Sequence, residues 1–278
     1  RYYLARIAEQ QKDIDSAISY FQAIEESPNY EASIERASFL LAQQNKIDEM
    51  LSYLGELRTS DKSRAKMLWL LEVKLLSLTQ NKDQMMDSLN AALIEFPDDE
   101  QLLYARAMNL DAQDNLADME SDLRKILAQT PDNAIALNAL GYTLADKTDR
   151  LDEAFQLIHK AHQLDPENPA ILDSLGWVLF KLNQREEALI YLLKAFQGYQ
   201  DGEVAAHLGE VLWSLNQKTE AIEVWVNVLR KTPNHPVLRE TIYRLAPELF
   251  EQQENTDKEP KAPITDQDTS NKEDTTID

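Results

Sequence analysis

Four histidines and forty-nine carboxylates carry most of the acid–base potential of this 278-residue chain, which has no cysteine. His159 and His162 stand i,i+3, so both imidazoles share one helical face. No carboxylate or thiolate accompanies them at ligand spacing, and they read as solvated surface rather than as a metal centre. Glu203, His207 and Glu210 also share a helical face. That set could chelate a cation, but one wall of a ligand-binding groove is the simpler reading. A phosphate loop, a dinucleotide fingerprint and zinc spacings are all missing from the sequence. No Ser/His/Asp constellation can be assembled from residues that fall on separate units. The chain therefore reads as a binding protein and not an enzyme, with no cofactor and no metal.

The elements that would position such residues recur. Gly141, Gly176 and Gly209 each precede an alanine at a nearly fixed distance, namely Ala154, Ala188 and Ala221. Around them the first copy supplies Leu137, Leu140, Leu144, Ile158 and Ala161, the second Leu172, Leu175, Leu179, Leu192 and Ala195. The third supplies Ala205, Leu208, Leu212, Trp225 and Val228. A period near 34 with this pattern resembles the tetratricopeptide repeat, a helix–turn–helix unit. The predicted fold is all-α: a right-handed superhelical solenoid of about seven repeats with a capping helix over residues 1–250. Paired helices are expected at 1–11/14–26, 31–43/46–58, 64–79/83–95, 99–112/116–129, 133–146/151–164, 168–181/184–197 and 201–214/217–230. The cap is expected at about 235–246, with Leu238, Ile242 and Leu245 on one stripe covering the last repeat. Repeat-ending prolines at Pro28, Pro97, Pro131, Pro166 and Pro233 keep the same register.

The first four repeats depart from the pattern. Their glycine position holds Ala5, Ser38, Val73 and Ala107, and the alanine position holds Ala17, Met50, Met85 and Met119. Three methionines in phase predict a wider helix crossing in repeats two to four, because Met fills irregular gaps. They read as core, with a plastic binding surface as the alternative.

Residues 251–278 hold nine acidic residues against three lysines and no aromatic, so they are expected to form a disordered acidic tail. The tail accounts for −6 of the formal charge of −21 and leaves −15 on the rest. Such acidity disfavours nucleic acid and suits solubility or the steering of a basic partner. No transmembrane run or signal peptide is evident. Because Arg1 falls inside a first helix, the chain reads as a trimmed fragment whose first helix packs on further repeats or on a partner.

In the tetratricopeptide family the first helix of each unit lines the concave side, through positions 2, 5, 6, 9, 12 and 13. The resemblance then implies a partner-binding surface of Asn138 and Tyr142 in repeat five, and of Asp173, Ser174, Trp177, Phe180 and Lys181 in repeat six. Glu203, His207, Glu210 and Trp213 follow in repeat seven, and Tyr104 holds the equivalent site in repeat four. Trp177 and Tyr142 are expected to be exposed partner anchors, while Phe180 and Trp213 fit either groove or interhelix core. The Lys and Asn set with which tetratricopeptide co-chaperones clamp a terminal carboxylate is approached only by Asn138 and Lys181.

The stretches around Leu137–Asp146, Ile171–Val178 and Glu203–Trp213 resemble proteobacterial tetratricopeptide outer-membrane lipoproteins, the resemblance covering about residues 131–232. It implies an exported adaptor in the periplasm, anchored to the outer membrane through a lipidated cysteine upstream. Its implied partners are a periplasmic C-terminal processing protease and the cell-wall hydrolases that the protease cleaves. An envelope-assembly scaffold for pilus or polysaccharide machinery, and the regulatory repeats of a larger enzyme, stay open as alternatives.

Overall fold

The computed structural model describes residues 1–250, and the acidic segment 251–278 lies outside the described residues. Fifteen α-helices and no strand occur among the described residues. α1 (Tyr2–Gln10) pairs with α2 (Ile14–Gln22), α3 (Tyr30–Gln43) with α4 (Ile47–Ser60), and α5 (Ala65–Leu78) with α6 (Lys82–Glu95). α7 (Glu100–Asp111) pairs with α8 (Leu116–Gln129), and α9 (Ala134–Lys147) with α10 (Leu151–Leu164). α11 (Pro169–Lys181), α12 (Arg185–Gly198), the pair α13 (Gly202–Ser214) and α14 (Lys218–Leu229), and α15 (Pro236–Leu245) complete the order. The predicted helices and cap are found where the repeat register puts them. α2 is shorter than expected, ending at Gln22 before the turn into Pro28, and a 3-10 turn at Lys62–Arg64 leads into α5. The contacts divide the chain into two compact units, Arg1–Gln184 with α1 to α11 and a second from Arg185 onward with α12 to α15.

Local chemistry fixes the helix ends. The Asp99 carboxylate accepts from the N–H groups of Gln101 and Leu102, that of Asp201 from Glu203 and Val204, and the Asn168 side chain from Ala170. Such caps satisfy amides that have no partner within the helix, and Pro169 at the first helical position of α11 gives up nothing by lacking an N–H. At the other end, Lys12, Asn45, Gln80, Asp114, Asn183 and Asn216 adopt φ between 58° and 64°. The next N–H then reaches back five residues, as from Lys46 to the Leu41 carbonyl and from Gln217 to that of Leu212, each 2.9 Å. This left-handed stop bends the first helix of a repeat into the second. Repeat five turns differently: Thr148 is extended, and its hydroxyl donates to the Leu144 carbonyl at 2.6 Å.

Packing follows the pattern of small and bulky residues. In the first unit, Phe21, Ile34, Leu40, Leu41, Met50, Leu54, Leu68 and Leu76 form a continuous buried cluster. Each such side chain contributes about 1.5–3 kcal/mol through removal from water. Met50 and Met119 are fully buried, as the core reading requires, whereas Met85 is half-buried beside a cavity. Glu72 is buried at the α4–α5 contact, where Arg58 donates to it at 2.5 Å and the Ser88 hydroxyl at 2.6 Å. In the second unit Trp225 of α14 is fully buried and fills the space that Gly209 of α13 leaves open. Leu238 and Ile242 of α15 are buried, and α15 packs on α13.

Candidate functional site

The first-helix faces of repeats one to four build a groove in the first unit. Val73 marks position 8 of repeat three, so positions 2, 5, 6 and 9 are Met67, Leu70, Leu71 and Lys74, and position 13 is Leu78. These residues line three adjoining cavities. One of about 360 Å³ lies between Tyr2 and Arg6 of α1, Glu35, Arg36 and Phe39 of α3, and Leu71 and Lys74 of α5. A second, of about 440 Å³, is formed by Glu35, Lys66, Met67, Leu70, Leu71 and Lys74. The third, about 590 Å³, lies between α5, α6 and α7 and is lined mainly by apolar side chains, among them Val73, Met85, Tyr104 and Met108. Lys74 borders all three.

The groove has a wide seam for a sequence-encoded reason. A Gly–Ala crossing lets two helices touch, but repeat three carries Val73 and Met85 at those positions, and the third cavity opens beside them. Of the wider crossings expected in repeats two to four, repeat three has a cavity beside Met85, whereas Met50 and Met119 of repeats two and four are fully buried. Arg36 ties the α3 wall to α1 by donating to Glu9, with its guanidinium 5.0 Å above the Phe39 ring. That hydrogen bond, more than the desolvation opposing it, holds the Glu9 carboxyl below its ordinary range. Burial pushes the Tyr104 phenol up, so it stays neutral and presents an aromatic face with a polar end.

The residues expected from the sequence are distributed otherwise. Tyr104 lines the third cavity. Asn138 and Tyr142 lie half-buried on α9, and the Asn138 Oδ1 is buried without a hydrogen-bond partner. On α11 the expectation for Trp177 is corrected: it is buried at 6% exposure instead of exposed. Its indole N–H donates to Asp146 Oδ1 at 3.2 Å, its ring packs 5.5 Å from Phe180, and the Lys181 ammonium stands 5.0 Å from the ring centre. Asp173 is also buried, while Lys181 is exposed. Trp177 therefore acts first as packing, because its large apolar ring gains more from the helix seam than from water.

The expected groove wall on α13 is corrected as well. His207 is buried at 3% exposure, and Glu210 accepts from Arg244 of α15 at 2.6 Å. Trp213 is half-buried, 5.7 Å from the Trp225 ring, with the Lys218 ammonium 4.6 Å from its centre. The capping helix thus meets the Glu210 face. Glu203, His207 and Glu210 do not form a cation site: among the described residues, no group of three or more His, Asp and Glu is placed to hold a metal ion. Nor is any helix among them long and apolar enough to cross a membrane.

Sequence reasoning missed the groove over α1, α3 and α5 because it followed the copies richest in repeat letters, which are repeats five to seven. Applied to the degenerate repeats, the same positions would have named Tyr2, Arg6, Glu35, Phe39, Leu70, Leu71 and Lys74. Comparison with known proteins marks the same division. Tetratricopeptide-repeat family models match residues 1–32 and 104–169, and a further one matches 170–201. The span 33–103, repeats two and three, lies between those matches. A protein of Pseudomonas aeruginosa, "TPR repeat-containing protein PA4667", is 41% identical over 242 residues, covering 87% of this chain and 41% of its own length. The chain thus spans about two fifths of the curated relative it matches. A tetratricopeptide repeat protein from Parabacteroides merdae superposes with a TM-score of 0.60 at 16% identity, over 86% of this chain and 94% of that one. PilW, described as a widely conserved type IV pilus biogenesis factor, gives 0.59 at 15% identity over 78% and 100%. With helices, left-handed turns and small-residue crossings in one register, and these matches beside them, the chain has an all-helical tetratricopeptide-repeat fold.

Proposed function

We propose that this chain is a non-enzymatic protein-binding scaffold that holds partners in the groove over α1, α3, α5 and α7. The observation carrying this reading is the row of three adjoining cavities at first-helix positions, lined by aromatic and aliphatic side chains and open to solvent. Tetratricopeptide repeats serve as protein-interaction scaffolds, and Tyr and Arg, which line this groove at Tyr2, Tyr104, Arg6 and Arg36, are enriched among the residues that dominate interface energies. At a finer level, the resemblance around residues 131–232 supports an adaptor that brings a periplasmic C-terminal processing protease together with its cell-wall hydrolase substrates. The same resemblance supports a periplasmic position at the outer membrane through a lipid anchor upstream.

Reconstitution tests this directly. The purified chain is added to such a protease and a hydrolase substrate from the same organism, and cleavage is followed by gel. Acceleration by the native chain and its loss with Leu71→Asp, at unchanged helical circular dichroism, are expected. Cleavage indifferent to the chain, with pilus or polysaccharide components recovered instead in a pull-down from envelope extract, would replace the protease reading with that of an assembly scaffold.

A further inference from the structure

We infer that the cavity between α5, α6 and α7 receives a bulky apolar side chain of a partner segment that carries a carboxylate beside it, with Lys74 and Lys82 holding the charge. This deepens the groove reading above and rests on it. The cavity, about 590 Å³, has an apolar interior of Val73, Met85, Tyr104 and Met108 and exceeds what one water or one methyl group occupies. Lys74 and Lys82 border it, and no carboxylate does. Both lysines are exposed and have no ion pair among the described residues, whereas the neighbouring Lys66 is paired with Asp99.

That arrangement contrasts with the ion pairs that hold other cations of this unit. The chain carries a formal charge of −21, and many of its cations are tied to acids, as in Arg58 with Glu72, Arg106 with Asp122 and Arg150 with Glu120. Two unpaired cations around an apolar hollow make a local positive spot in an acidic surface, which selects an acidic group and repels a basic one. The methionines add adaptability, since Met85 and Met108 can repack around side chains of different shape. The favoured ligand is Leu, Phe or Met within two residues of Asp or Glu.

Selection of randomised dodecapeptides displayed on phage against the full chain tests this. Winning sequences are made as peptides blocked at both ends, and their affinities are measured by fluorescence anisotropy. The expected result is enrichment of that pairing and about tenfold weaker binding to a Lys74→Glu, Lys82→Glu double variant. Both substitutions are at exposed positions, and circular dichroism checks that the fold is kept. A Met108→Trp variant, which fills the hollow, should also weaken binding. Peptides without acidic preference, or bound equally by native chain and variants, overturn the inference and leave the groove as a binding surface. Recovery of no peptide overturns the inference together with the peptide-groove reading. Saturable binding of dodecanoate in place of any peptide assigns the cavity to a small amphiphile and overturns it too.

Discussion

Gly141 of α9 faces Ile158 of α10 with no room for a side chain between them: a Cβ at Gly141 would stand 2.6 Å from Ile158 Cγ1 and 3.0 Å from the Ala154 carbonyl oxygen. Backbone and a branched side chain both bound the gap, so neither can yield cheaply. Helix propensity alone favours Ala over Gly by about 1 kcal/mol, whereas overpacking costs about 1–3 kcal/mol. Gly141→Ala is therefore expected to lower the urea midpoint. Gly55→Ala should raise it, since the nearest atom there is a terminal nitrogen of Arg58 at 3.7 Å. Equal gains at both sites would mean that the α9–α10 crossing is looser than described.

Lys12 ends α1 at φ 64°. A side chain in the left-handed region crowds its own backbone, at a cost of about 1 kcal/mol, which glycine avoids. Lys12→Gly should stabilise the chain by several tenths of a kcal/mol to about 1 kcal/mol. The same change at Ser19, inside α2, should do the opposite. Parallel urea titrations of the two variants decide it.

The pair of Arg58 and Glu72 is far more enclosed than that of Lys46 and Asp15, with side-chain exposures of 13% and 3% against 36% and 82%. Removing one member of a buried pair strands the other charge and costs about 3–5 kcal/mol, while an exposed pair contributes about 0–1 kcal/mol. Arg58→Met should consequently lower the thermal midpoint by many degrees and Lys46→Met hardly at all. Arg58→Met together with Glu72→Leu should recover much of the loss, because the stranded charge has gone. A double variant as unstable as the single one would show that Arg58 acts through its packing over Trp69, whose ring centre lies 3.5 Å away.

Acid should weaken the contact between repeats four and five. Arg150 donates to Glu120 and holds its carboxyl below the ordinary 4.5, and Arg124 followed by Arg150 does the same for Glu153. A carboxylate whose folded pKa is depressed adds stability that is complete above its unfolded pKa and fades as pH falls through the folded one. The urea midpoint should be level above about pH 5 and decline below 4.5. Glu120→Gln should make that decline shallower. An unchanged acid limb in the variant would assign the decline to other carboxylates, such as Glu9 beside Arg36.

The sequence by itself determined the repeats. Gly141, Gly209, Ala154 and Ala221 recur because two helices can cross closely only where a side chain is small, and that demand is local enough to be read from spacing. Proline register and the amphipathic stripe of Leu238 and Ile242 likewise placed the helix pairs and the cap. The left-handed stops were less visible, since Lys12 and Gln80 occupy positions where glycine is the usual signal. What a surface residue faces was decided only by the tertiary structure. Helical phase puts Trp177, His207 and Glu210 on the first-helix face, but whether that face is open depends on neighbours distant in sequence. Asp146 takes the Trp177 indole N–H, and Arg244 of α15 takes Glu210. The groove beside Leu71 and Lys74 stayed hidden for the complementary reason. Val73 and Met85 erase the repeat letters that mark a tight crossing, and the space they open appears only when three helices are packed around it.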